Sequence, residues 1–90
     1  MKKAVITVIG QDRIGLMYGV ASVLAEHDIN ILDVNQTIMQ EIFTMVMIVD
    51  IEKAPLAFED IQNKLEEKGK EIGVSIRMQH EGIFNAMSEL

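Results

Sequence analysis

Apolar positions change period several times along the chain, and each change marks a new element. Residues 2–9, KKAVITVI, are β-branched and apolar on both faces, the pattern of a central strand, β1. From Ile14 the period becomes helical: Met17, Val20, Ala21 and Leu24 fall at i, i+3, i+4 and i+7, one stripe of a helix α1 that ends near His27 and Asp28. Two extended runs follow, INILDVNQTIM over 29–39 and IFTMVMIVDI over 42–51, with only Gln40 and Glu41 between them. That spacing predicts a tight hairpin of β2 and β3. In β2 the apolar parity slips, because Ile29 and Ile31 are odd while Leu32, Val34 and Ile38 are even. A bulge, or a switch in the buried face, is expected there.

Pro55 suits the first turn of a second helix, α2, in which Phe58, Ile61, Leu65 and Ile72 recur at helical spacing up to a stop at Gly73. Gly69 inside it costs about 1 kcal/mol relative to Ala, so either the helix frays early or something packs close at that point. VSIRMQH, 74–80, alternates Val74, Ile76, Met78 and His80 against Ser75, Arg77 and Gln79, a half-buried strand β4.

The order βαββαβ closes as an α+β, ferredoxin-like fold: a four-stranded antiparallel sheet with both helices on one face and β1 and β3 expected as a central, parallel pair. Residues 1–80 make one domain. Residues 81–90, EGIFNAMSEL, form a C-terminal tail with Ile83, Phe84 and Met87 at helical spacing. β3 carries Phe43, Met45, Met47, Val49 and Ile51 on one face and Ile42, Val46 and Ile48 on the other, yet helices cover only one. The tail, a second subunit or both are therefore expected over the open face.

Composition narrows the function classes. At 90 residues and 49% hydrophobic the chain is a small globular domain that a partner subunit would support. No apolar run approaches the roughly 20 residues of a membrane helix. The run Ala4 to Ile9 is too short for a secretory signal, which points to the cytosol. The absence of cysteine removes disulfides, thiolate metal sites and cysteine nucleophiles together. His27 and His80 stand in no ligand pattern, so neither a metal nor a cofactor is expected. A net charge of −6 argues against direct contact with nucleic acid, and Lys64, Lys68 and Lys70 alternate with Glu66, Glu67 and Glu71 as a solvated helix face.

The fold hosts many chemistries, so the residues must choose among them. An RNA-recognition module needs aromatics on β1 and β3, but β1 has none and β3 only Phe43. Acylphosphatases share the length and topology and use a loop Arg with an Asn on β2, positions that Arg13 and Asn35 could fill. Their loop, however, is a longer Gly/Val/Gln run ending in aromatic-Arg, unlike Gly-Gln-Asp-Arg-Ile-Gly. No Ser/His/Asp, Cys/His or paired-carboxylate arrangement is evident elsewhere, and the chain is not expected to be an enzyme.

GQDRIGL between β1 and α1, followed by INI at the start of β2, resembles the ACT domain, a small-ligand regulatory module marked by Asp or Asn, a variable pair, Gly and an aliphatic residue. The resemblance spans residues 3–80. The loop is most similar to the ACT domains of formyltetrahydrofolate deformylase and the glycine-cleavage repressor, and the tail to small free-standing ACT proteins ending in HE-x-IFNAM. It implies subunits paired side by side through β2 or its neighbouring helix, and an amino-acid ligand near that interface. Carried over by position, Asp12 and Asn30 would hold the ligand's polar groups, Gly15 would let the helix start approach closely, and Ile14 and Leu16 would wall the pocket. Gly10, Arg13 and Ile31 complete the candidate set.

Physical chemistry independently gives the start of α1 free N–H groups and a positive dipole end for a carboxylate, with Asp12 available for an ammonium. The same residues also have plain structural roles. Asp12 can cap α1, Gly15 and Gly19 can permit close packing, Arg13 can be a solvated charge, and Asn30 can satisfy the turn after α1. The expected protein is a homodimer or larger homo-oligomer that binds a small molecule and acts through an effector protein or its own assembly state. The competing expectation is an interaction module whose open sheet face and tail bind a partner protein.

Overall fold

The computed structural model describes residues 1–11 and 15–82. The elements are β1 (Lys3–Gln11), α1 (Leu16–Glu26), β2 (Asn30–Met39), β3 (Ile42–Asp50), α2 (Phe58–Ile72) and β4 (Val74–His80). They form one antiparallel sheet in the order β2-β3-β1-β4, the ferredoxin-like arrangement.

β1 and β3 are central as expected, but they run antiparallel, Lys3 opposite Asp50 and Gln11 opposite Ile42. This corrects the expected parallel pair. The helix crossover returns the chain so that β2 runs in the direction of β1, and the tight hairpin then reverses β3. The hairpin itself is as the sequence predicts: Gln40 and Glu41 both have positive φ, 50° and 71°, the signature of a two-residue turn matched to strand twist. The parity slip in β2 is a register shift between Ile31 and Asp33, a bulge at Leu32.

Helix boundaries and faces differ in two places. α1 buries Leu16, Gly19, Val20, Val23 and Leu24, while Met17 is exposed. The stripe is rotated by about one residue because Gly19, which hydropathy ignores, is the point where α1 lies against Ile72 of α2. α2 begins at Phe58, not at Pro55: Ala54 N–H bonds the Ile51 carbonyl in a turn, Leu56 packs on the core, and Ala57 is still extended. Glu59 and Asp60 then place negative charge at the positive end of the helix, and Gly73 ends it at φ 81°.

The core lies between helices and sheet. Ala4, Ile6 and Val8 from β1, Phe43, Met45, Met47 and Val49 from β3, and Ile76 and Met78 from β4 meet Val20, Leu24, Ile61 and Leu65. Gln62 Nε2 donates to the Met78 carbonyl at 2.7 Å, and the rings of Phe58 and His80 stack with centroids 3.8 Å apart, so the C-terminal end of β4 is tied to α2. On the helix-free face Ile42 is exposed while Val46 and Ile48 are half-buried. The expected tail contacts of Ile83, Phe84 and Met87 lie outside the described residues.

Candidate functional site

Of the candidate residues, Asp12, Arg13 and Ile14 lie outside the described residues. The others frame their loop. Gly10 is still in β1, paired with Phe43 on one side and Val74 on the other. Gly15 is the N-cap of α1 at φ 83°, a left-handed conformation that costs a side-chain-bearing residue about 1–2 kcal/mol. Among the described residues a Cβ placed there would meet nothing within 4 Å, while the positive φ itself calls for glycine.

Gly15 supplies no side-chain cap, and the first turn carries no acidic residue. Among the described residues, nothing therefore competes with an anion for the positive end of α1. Leu16 is 4% exposed and sits in the core, so its side chain fixes the helix start from below. The next two residues, Met17 and Tyr18, are exposed at 40% and 79% and flank the loop. Sequence reasoning missed them, and the only available signal was that Tyr18 falls outside either apolar stripe.

Asn30 and Ile31 are at the other end of the sheet. Asn30 opposes Asp50, which opposes Lys3, whereas the loop leaves from Gln11. Eight residues of strand, about 27 Å, separate the two ends within one subunit. At the Asn30 end, Asp50 accepts hydrogen bonds from the Glu52 and Lys2 backbone N–H groups at 3.0 and 3.3 Å. The bond from Glu52 is the main cause that holds this carboxyl below the ordinary 3.8.

β2 is one of the two edge strands of the sheet, β4 being the other. Among the described residues β2 pairs only with β3, its ten residues are exposed except for half-buried Val34, and Ile31, Leu32, Ile38 and Met39 are its exposed apolar residues. A long apolar edge strand is a ready template for pairing with another chain. Surface hollows of about 340 Å³ (Thr37, Met39, Gln40, Ile42, Thr44) and about 280 Å³ (between α2 and β4, beside Lys70 and Arg77) are lined by other residues than the candidate set. Among the described residues no group of His, Asp or Glu gathers as a metal site, and no helix is long and apolar enough to cross a membrane.

The chain has the βαββαβ order and an antiparallel sheet, and the sequence profile of the ACT domain matches residues 2–79. The chain belongs to the ACT domain family. A UPF0237 protein of Clostridium acetobutylicum is 54% identical over 88 residues, covering 98% of this chain and 99% of that protein. The structure of an ACT domain protein from Streptococcus pneumoniae superposes with a TM-score of 0.81 at 37% identity, over 92% of this chain and 93% of that one. A formyltetrahydrofolate deformylase from Pseudomonas syringae shares the fold, with a TM-score of 0.80 at 17% identity over 88% of this chain and 27% of its own. ACT membership supports, in general terms, a regulatory module that binds small ligands.

Proposed function

We propose that this ACT domain is a cytoplasmic homodimer that binds an amino acid at its subunit interface and performs no catalysis. The observation that carries the reading is the free edge of β2 together with the separation of loop and Asn30. Antiparallel pairing of β2 with β2 of a second copy turns the partner end for end. Asn30 of the partner subunit then comes to the end of the sheet where Gln11 leads into the loop.

Three strand spacings, about 14 Å, lie between those positions, the span of an amino acid held between two polar side chains. The carboxylate would sit at the start of α1, the ammonium against Asp12, and Arg13, Ile14, Gly10 and Ile31 around them. Binding across an interface favours the paired state, which couples metabolite level to assembly and so to an effector protein.

Calorimetry and thermal shift with each of the twenty amino acids, on protein whose dimeric state is checked by light scattering, test this reading. One or a few should give heat and raise the melting temperature. Silence from all twenty, with the dimer intact, rejects the ligand. The apolar hollow at Met39 and Ile42 would then favour the second reading, a partner-protein module with no small ligand.

A further inference from the structure

At the β4 edge of the sheet, α2 lies along the strand. Gln62 holds the Met78 carbonyl there, and Gly69, having no side chain, brings the helix backbone close to Val74 and Ile76. Beside this contact helix and strand part around the hollow of about 280 Å³, which is lined by Glu66, Lys70, Val74, Ser75, Ile76 and Arg77.

Two cations reach the hollow from different layers. Lys70 comes from α2, whereas Ser75 and Arg77 alternate with buried Ile76 and Met78 and so belong to the helix-free side of β4. Lys68, on the same helix, pairs with Glu71 at 3.6 Å. Among the described residues Glu66, Lys70 and Arg77 stand in no ion pair. Two cations against one carboxylate leave the lining at +1, in a chain whose net charge is −6.

That balance suits a monoanion. A carboxylate matches the guanidinium fork and takes a further charge-assisted bond from an ammonium, while a dianion would meet repulsion from Glu66. An ionised Glu66 only accepts hydrogen bonds, so it calls for a donor on the ligand. We propose that the hollow between α2 and β4 binds a small carboxylate with a hydroxyl or ammonium beside it. The carboxylate sits on Lys70, Ser75 and Arg77, and the donor on Glu66. This site lies within one subunit, uses neither Asp12 nor Asn30, and stands whether or not the subunit interface holds a ligand.

The test is to follow backbone amide chemical shifts of the isotope-labelled protein during titration with lactate, alanine and propionate at constant ionic strength. The three share size and carboxylate, and propionate alone lacks the donor. Lactate or alanine should shift the Ser75, Ile76 and Arg77 amides saturably and bind about tenfold more tightly than propionate. Lactate alone identifies a hydroxy acid, alanine alone an amino acid, and both the shared chemistry. Lys70→Gln and Arg77→Gln, at exposed positions, should each weaken binding about tenfold with secondary structure unchanged, and Glu66→Ala should abolish the preference over propionate. No saturable shift, propionate binding as tightly, tighter binding of inorganic phosphate, or variants that bind like the parent would each overturn the assignment. So would shifts confined to Gly15, Leu16 and Asn30, which would report the interface site instead.

Discussion

Replacing Gly69 with alanine should destabilise the protein, although helix propensity predicts the reverse. In an exposed helix interior the change gains about 1 kcal/mol. At Gly69 the new Cβ would lie 2.6 Å from the Val74 carbonyl oxygen and 3.3 Å from both the Ile76 backbone nitrogen and Cγ1. An unstrained carbon-to-oxygen approach is about 3.3 Å or more, so α2 and β4 must part by roughly 0.7 Å. Only Gly73 connects those elements, and its N–H is bonded to the Gly69 carbonyl at 2.8 Å, so there is no slack to absorb the shift.

Backbone atoms cannot rotate away as a side chain can. Overpacking of this kind costs about 2–3 kcal/mol, leaving a net loss of about 1–2 kcal/mol after the propensity gain. For a chain of this size the melting temperature should fall by roughly 4–16 °C. Gly19→Ala is the internal control: its Cβ would meet only side-chain ends, Ile72 Cδ1 at 3.3 Å and Cγ2 at 3.7 Å, which can give way. It should be neutral or up to about 1 kcal/mol more stable. Denaturant unfolding of the two variants beside the parent decides the matter. A Gly69→Ala protein as stable as the parent, or more so than Gly19→Ala, refutes the packing argument.

Other perturbations have outcomes set by the same structure. Glu41→Gly should raise the melting temperature by about 4–8 °C, because it relieves about 1 kcal/mol of left-handed strain at φ 71°; a fall would contradict the turn assignment. Met47→Ala, at a fully buried core position, should cost about 2–5 kcal/mol in denaturant unfolding. Asp50 has its folded pKa lowered, first by the Glu52 N–H, so its contribution is present above the ordinary 3.8 and lost as pH falls through the lower folded value. Asp50→Asn should therefore flatten the acid limb of a stability-against-pH curve below 3.8 and leave its shape above that pH unchanged. Ile31→Lys with Met39→Lys, on the exposed edge of β2, should leave secondary structure intact while light scattering shows a monomer, as the proposed β2 pairing requires.

What could be read in advance depended on whether a residue's own chemistry fixed its place. The hairpin was legible because two residues between extended runs permit few turns, and the irregularity at Leu32 because a slip in parity requires a bulge or a switch of buried face, of which the register shows the bulge. β4 was legible to its ends because Gly73 and the alternation bound it on both sides. The face of α1 was not, since Gly19 contributes to packing through what it lacks, and Pro55 misled because a proline suits a bend before a helix as well as its first turn. Strand direction is recorded by no side chain: it follows from the α1 crossover, which keeps β2 along β1, and the hairpin, which turns β3 against both. For the site, the left-handed glycine between β1 and α1 was visible as a motif. The distance from that loop to Asn30 was not, because it exists only once the register of three strands is known.

The central claim, a ligand shared between two subunits, is tested most directly by complementation. Asp12→Ala and Asn30→Ala are prepared separately, then unfolded together in equal amounts and refolded, so that about half the dimers are mixed. In a mixed dimer one of the two sites keeps both native residues. Titration with whichever of the twenty amino acids raises the parent's melting temperature should show no binding by either variant alone and about a quarter of the parental stoichiometry in the mixture. A dimeric mixture as silent as its components, or a single variant that binds like the parent, would contradict the account.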